Sequence, residues 1–333
     1  MVSNCAAPPV TVSGGWTQIN LPADDLIVRC ALTQLPGSTG VRIIAHSILV
    51  DGPGGSVGST GSNGIQLTAG SGAGSVCDAG ATVDLESTTV TDGNINGGLK
   101  VTACGDIVVK SSTVSSAGNT VTVTSSNGKV CATGDSFSGR AVTVTASGDL
   151  TMHGSNVTLS DPFDTIKLAS NNGSVLAGGG VCPPNSFQGA SDSNLTVTAK
   201  RVVDLSNACV EIGQNITITA SGSGFACATD TIVNLNSSEI RNDLGRNGTI
   251  TATACGGTGR IAIDNAILLD NGKADPNKVS KLNNSLATQA VNCAATTTPT
   301  CSTRPLDAAN NPVSASPADR TSHNVVGVPR CDS

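Results

Sequence analysis

Residues 142–160 read VTVTASGDLTMHGSNVTLS, a stretch with almost no reactive chemistry whose apolar and polar residues nonetheless alternate with period 2. That is the period of a β-strand, in which successive side chains point to opposite faces. Val142, Val144 and Ala146 therefore share one face and Thr143 and Thr145 the other. Gly148 and Asp149 supply turn chemistry, Leu150 and Met152 resume the alternation, and Gly154-Ser155-Asn156 breaks it again. The unit is strand, corner, strand, corner.

The unit recurs. Its opening motif, apolar-x-apolar followed by Thr, Ala or Ser, begins at residues 41, 65, 99, 121, 142, 166, 195, 216 and 250, at intervals of 24, 34, 22, 21, 24, 29, 21 and 34 residues. Spacings of this size are those of a solenoid. A second signature follows within the coil, in VDLESTTV (83), IVVKSSTV (107), LTMHGSNV (150), VDLSNACV (203), VNLNSSEI (233) and IAIDNAIL (261). Apolar residues hold its first, third and eighth places. Helical periodicity is absent over any long run. The sequence thus predicts an all-β chain, a right-handed parallel β-helix of about nine rungs over residues 41–270. Residues 1–40 are expected to cap its first rung, and 271–333 to form an irregular Thr/Pro/Asn-rich tail in which PNKVSKLNNSLATQA (276–290) makes a short helix.

Composition agrees with a small-residue solenoid. The 333 residues include 39 Gly, 1 Trp, 4 Phe and no Tyr, and only 13% are charged. Large aromatics are expected to stay out of so narrow an interior, which is built by stacking small β-branched residues rung on rung. A net charge of -6 with no Lys/Arg cluster argues against a nucleic-acid partner. No run of 18 apolar residues is present to span a membrane. The start MVSNCAAPPV lacks the apolar stretch of a signal peptide.

Twelve cysteines without a C-x-x-C pair read as disulfides formed in an oxidising space, and hence as an extracellular or cell-surface location. No ligand quartet has zinc spacing, and no cofactor is expected. An internal duplication relates residues 75–105 to 225–256, aligning Cys77 and Cys104 with Cys227 and Cys255. In each copy the second cysteine lies about one coil after the first. Vertical neighbours in a solenoid are about 4.8 Å apart, within disulfide reach, so Cys77–Cys104 and Cys227–Cys255 are expected as rung-to-rung staples. Cys182 and Cys209, with the same spacing as Cys77 and Cys104, form a third candidate pair, and Cys5 and Cys30 complete the candidates; Cys131 has no evident partner. The coils hold seven cysteines and the tail three (Cys293, Cys301, Cys331), both odd, so full oxidation ties the tail to the body, to the N-terminal segment or to another subunit.

Two lateral patterns bear on function. Asp84, Glu86, Lys110, His153, Asp204 and Asp264 fall at outward places of the second signature, where a polysaccharide lyase or hydrolase would need its carboxylates. Their simpler reading is a solvated ladder, with Glu86 facing Lys110 as a surface ion pair. Outward threonines form T-x-T pairs, Thr122/Thr124, Thr143/Thr145, Thr196/Thr198, Thr217/Thr219 and Thr251/Thr253, interrupted by Gln66, Lys100, Lys167 and Ala169. This resembles the face of ice-binding β-solenoids, although threonine also suits any exposed strand. Glycosylation sequons at Asn156, Asn194, Asn215 and Asn247 are expected by chance in so Asn- and Thr-rich a chain.

VTVTASGDLTMHGSNVTLS and LKVTACGDIVVKSSTVSS (99–116) resemble the coils of secreted filamentous-haemagglutinin-type adhesins, in which a strand, a Gly-Asp corner, a second strand and a Ser-rich corner make one rung. The resemblance covers roughly residues 41–270 and implies an extracellular structural role. The expectation is a subunit of a surface fibre or an adhesin, without catalytic residues or bound metal, whose partners are copies of itself joined end to end or glycans of a host surface or matrix.

Overall fold

A computed structural model describes residues 10–70, 77–178, 186–227, 230–242, 250–257, 260–262, 267–269, 280–284 and 287–291. Nearly all regular structure in them is strand, arranged in three parallel sheets as a β-helix. The helical element among the described residues is one 3-10 turn, Cys255–Gly257. The chain divides into two compact units, Met1–Asp161 and Pro162–Ser333.

In the first unit each rung lays one strand in each sheet. The rung quoted above runs through Val142–Ala146 in the first sheet, Leu150–His153 in the second and Asn156–Leu159 in the third. Three strands replace the two expected, because the eighth place of the second signature is a strand of its own. Parallel register stacks like on like: Leu99, Val121 and Val142 align, as do Val101, Val123 and Val144, all essentially without solvent exposure. In the second unit Ile166, Leu195, Ile216 and Ile250 come from successive first-sheet strands, joined in parallel register between Ile166 and Leu195, Leu195 and Ile216, and Ile216 and Ile250. Burying such a column removes each apolar side chain from water at about 1.5–3 kcal/mol apiece, which offsets the entropy of ordering the strands.

The stack begins earlier than the repeat motif. Within the segment expected as a cap, Trp16–Leu21, Leu26–Val28 and Ala31–Thr33 pair in parallel with the rung at residue 40 and form a full rung, and Thr11–Ser13 pairs antiparallel to Trp16–Leu21. The motif is hidden here because Thr17 occupies an inward place. Its buried hydroxyl is satisfied by the Ser38 hydroxyl at 2.7 Å and accepts from the Leu35 N–H.

At the other end the expected short helix is a strand pair. Ser280–Asn284 adds in parallel to Ile250–Ala254, and Ala287–Val291 folds back antiparallel on it. The unpaired edge of Ile250–Ala254 offers a row of backbone donors and acceptors, and satisfying them outweighs a weak local helix preference.

Aromatic residues do enter the interior. Phe137 and Phe187 are completely buried in the third sheet, one in each unit. Each shares its rung with an alanine at the third place of the second signature, Ala132 and Ala177; where that place holds Leu85, Val109, Met152 or Leu205, the third sheet supplies only Val90, Val114, Val157 or Val210. The interior is close-packed, so a large side chain from one wall needs a small one from another.

The corner between second and third sheets is set by one residue in the left-handed region. Ser87, Ser111, Gly134, Gly154, Asn207 and Ser237, the fifth place of the signature, all have φ between 49° and 68°. This explains the Ser/Gly/Asn composition of the corner better than hydrophilicity does.

Candidate functional site: outer faces and stapled corners

The outward residues of the first sheet form two files per unit. In the first unit Lys100, Thr122 and Thr143 make one, and Thr68, Thr102, Thr124 and Thr145 the other. In the second unit Thr196, Thr217 and Thr251 stand beside Thr198, Thr219 and Thr253, with Lys167 and Ala169 one rung before. The threonines are half-buried, because each is flanked by its neighbours above and below. Towards the N-terminus the face changes character: Arg42 lies 4.4 Å over the Trp16 ring and donates to Gln66 at 3.1 Å.

The candidate carboxylates are scattered by comparison. Asp84 and Glu86 share the strand Val83–Glu86, and Asp84 is half-buried while Glu86 is exposed. Burial first, then the charges of Glu86 and Asp106, push the Asp84 carboxyl above its ordinary range. Lys110 is the register partner of Glu86, and His153 is exposed two rungs further on. No ion pair joins Glu86 and Lys110 among the described residues, since two exposed long side chains gain little from being fixed together. Asp204 lies in the second unit, where it accepts the Ser206 N–H at 2.9 Å as a local turn. Asp264 lies outside the described residues. Among the described residues no group of three or more His, Cys, Asp or Glu is set to hold a metal ion.

Chemistry concentrates instead at two corners between the first and second sheets. Cys77 is bonded to Cys104 with Cα atoms 5.3 Å apart, and Cys227 to Cys255 at 6.1 Å. Cys30, Cys131 and Cys209 are also oxidised, and no cysteine among the described residues is free. Cys5, Cys182, Cys293, Cys301 and Cys331 lie outside them. Each of these two staples closes over a glycine. A Cβ on Gly70 would come 2.7 Å from Cys104 Sγ, and one on Gly222 would come 2.7 Å from Cys227 Sγ and closer still to Cys255 Sγ. Both glycines have positive φ, 132° and 76°, so neither space nor backbone admits a side chain.

Beneath the first staple, His46 spans three corners. Its Nδ1 lies 2.8 Å from Asp25 Oδ1 and its Nε2 3.0 Å from Asp78 Oδ2, Asp78 being the residue after Cys77. Hydrogen bonds to Asp25 and Asp78 raise the imidazole's pKa; the bond to His46 lowers that of Asp25, and the Gly80 N–H, then His46, lower that of Asp78. The second staple has a different support. Arg201 lies 4.5 Å over the ring of Phe225, two residues before Cys227.

Two buried aspartates belong to the interior. Asp135, at the inward corner place, accepts the Ser112 N–H at 2.8 Å and donates its own backbone N–H to the Ser155 hydroxyl oxygen at 3.3 Å, but its Oδ2 is buried without a partner. Burial pushes its pKa up to about 6. Asp92 is equally buried, accepts from Asn94 N–H and the Ser116 hydroxyl, and is raised by burial too. It anchors the turn that presents Ile95, 70% exposed, to solvent.

The sequence carried no signal for the His46 group, whose members are 21 and 32 residues apart. Comparison with family models, with curated proteins and with solved structures finds no match to this chain.

Proposed function

We propose that this chain is an extracellular structural protein, a disulfide-stapled β-helix that serves as a subunit of a surface fibre or as an adhesin and joins end to end with its own copies. The observation that carries the reading is the strand Thr11–Ser13, the border of the first sheet among the described residues, exposed at all three positions with Val12 48% exposed. Leu35, 39% exposed, and the third sheet's border strand Ala31–Thr33 accompany it. A sheet border of this kind pairs readily with another strand, and Ala287–Val291 is the last strand in the order of the first sheet. The staples fit an oxidising space, and no helix among the described residues is long and apolar enough to cross a membrane. Head-to-tail contacts of this kind generate open filaments. Electron microscopy and sedimentation of the full chain test the proposal. Fibres or oligomers that shorten in Val12→Lys support it; a monodisperse monomer at high concentration overturns it.

The in-register threonine files favour a second reading, binding of a periodic crystalline surface such as ice. Hydroxyls and methyls repeat about 4.8 Å apart between rungs and about 7 Å apart along a strand. Thermal hysteresis lost in Thr143→Tyr and Thr217→Tyr supports that reading, and its absence in the parent removes it. Cleavage of acidic or neutral polysaccharides that disappears in Asp84→Asn would replace both with a hydrolytic function.

A further inference from the structure

Both stapled corners need a second tie. In a solenoid each rung contacts only its neighbours, so a long corner must be fixed to the rung above and the rung below or it opens alone. The corner after Gly70 is joined upward through Cys77–Cys104. Downward, backbone bonds at its two ends, Gly70 N–H to Ala45 and Ile48 N–H to Thr82, and the Thr82 N–H on the Ser47 hydroxyl at 3.2 Å join it to the preceding rung, and between them Asp78 meets His46, which in turn grips Asp25 one rung further down.

We infer that His46 is a pH-gated clasp, which holds the corners of three successive rungs together only while both of its ring nitrogens carry protons. A neutral imidazole has one N–H and one lone pair, so it donates to one carboxylate and turns its lone pair on the other. With Asp25 and Asp78 facing it from opposite sides, loss of the second proton leaves one carboxylate without a donor. Asp78 is the one that leaves. It sits at 3.0 Å against 2.8 Å for Asp25, and the Gly80 N–H serves its other oxygen at 2.8 Å. The groups acting on the imidazole charge are Asp25 from the corner below and Asp78 from the corner above; Asp24, beside Asp25, accepts the His46 N–H through its backbone carbonyl at 2.9 Å, and Ser47 bonds Asp25.

The signs define a window. The histidine's pKa is raised in the folded chain, so its contribution is complete below the unfolded value and disappears as pH rises through the folded one. The pKa values of Asp25 and Asp78 are lowered, so theirs is complete above the ordinary carboxylate value and disappears as pH falls through the folded one. The clasp is closed between these limits and opens on the alkaline side as pH rises through the folded-state value of His46.

The test is a pH titration of the full oxidised chain, following the imidazole signals and amide exchange at Asp78–Ala81 by NMR. The amides around Cys227 are the internal reference. The expected result is a His46 midpoint above the ordinary histidine value of about 6.5 and loss of protection at Asp78–Ala81 over the same pH range, with the Cys227 corner unchanged. Asp78→Asn should lower the His46 midpoint, and His46→Gln should leave Asp78–Ala81 weakly protected at every pH. A His46 midpoint at or below the ordinary histidine value of about 6.5, or a transition of unchanged size in His46→Gln, overturns the inference.

Discussion

The corner closed by Cys77–Cys104 and the one closed by Cys227–Cys255 come from duplicated sequence and solve the same problem with the same three parts. Each has a glycine at the base, Gly70 or Gly222, a disulfide to the rung above, and a side chain reaching up from the rung below. The first two parts are alike; the third is not. His46 grips Asp78 by charge-assisted hydrogen bonds, while at the residue corresponding to Asp78 the second copy has Ala228. There Arg201 stacks on Phe225 instead. The disulfide geometry constrains its surroundings tightly and so repeats, whereas any contact that joins two rungs fills the remaining role. One corner is thereby tied through an imidazole between two carboxylates and the other through a guanidinium stacked on a ring.

The largest expected effect comes from the shared part. Replacing both cysteines of either staple with alanine should cost about 2–4 kcal/mol by loop-entropy reasoning, read from denaturant midpoints. If the Cys77/Cys104 double variant lost much more than the Cys227/Cys255 one, the two corners would not be equivalent. Gly222→Ala should remove most of the same contribution, about 2–3 kcal/mol, because a Cβ there collides with both sulfurs and the backbone has φ 76°. Mass mapping should then find Cys227 and Cys255 partly unpaired.

A related contrast lies at the inward corner place, where one rung carries Asp135 and others Ser112, Ser155 or Ser238. Asp135 has a raised pKa, so the folded state resists its ionisation. That cost is absent below the ordinary carboxylate value, grows with pH, and is complete above about 6. Asp135→Ser should therefore stabilise the chain by about 2 kcal/mol at pH 7 and by nearly nothing at pH 3. An equal gain at both pH values would assign the effect to packing. The smallest effect is expected at the second corner's own tie: Arg201→Gln should lower local stability by about 0.5–1 kcal/mol, independent of pH between 5 and 9. Hydrogen exchange at Gly222–Phe225 measures it, and a pH dependence there would erase the contrast with His46.

The sequence made the first sheet legible and the third nearly invisible. A first-sheet strand such as Val142–Ala146 places three residues inward and two threonines outward, enough to show alternation. A third-sheet strand such as Thr113–Ser116 has a single large inward residue, Val114, among serines and threonines, and reads as a corner. Thr17 hid the first rung because its inward hydroxyl is satisfied by Ser38, a partner 21 residues away. The strand pair at Ser280–Val291 was illegible for the opposite reason: local propensity favoured a helix, and the open sheet border decided otherwise. The staples could be read because duplication puts the cysteines of each pair one coil apart; His46 could not, because Asp25 and Asp78 follow no motif.

The exchange of Phe137 for bulk at Ala132 has a consequence for anyone averaging these repeats. At the third place of the second signature a consensus would choose leucine, which Leu85, Leu205 and Leu235 occupy fully buried. Placed in the rung of Phe137 or Phe187, the same leucine overfills the interior, and valine in place of either phenylalanine leaves a hole. Ala132→Leu and Phe137→Val should each be harmful alone and close to neutral together. In this chain the tolerance of a position is inherited from the residue across the lumen rather than from the repeat, so neighbouring rungs with one backbone follow different rules of permitted mutation.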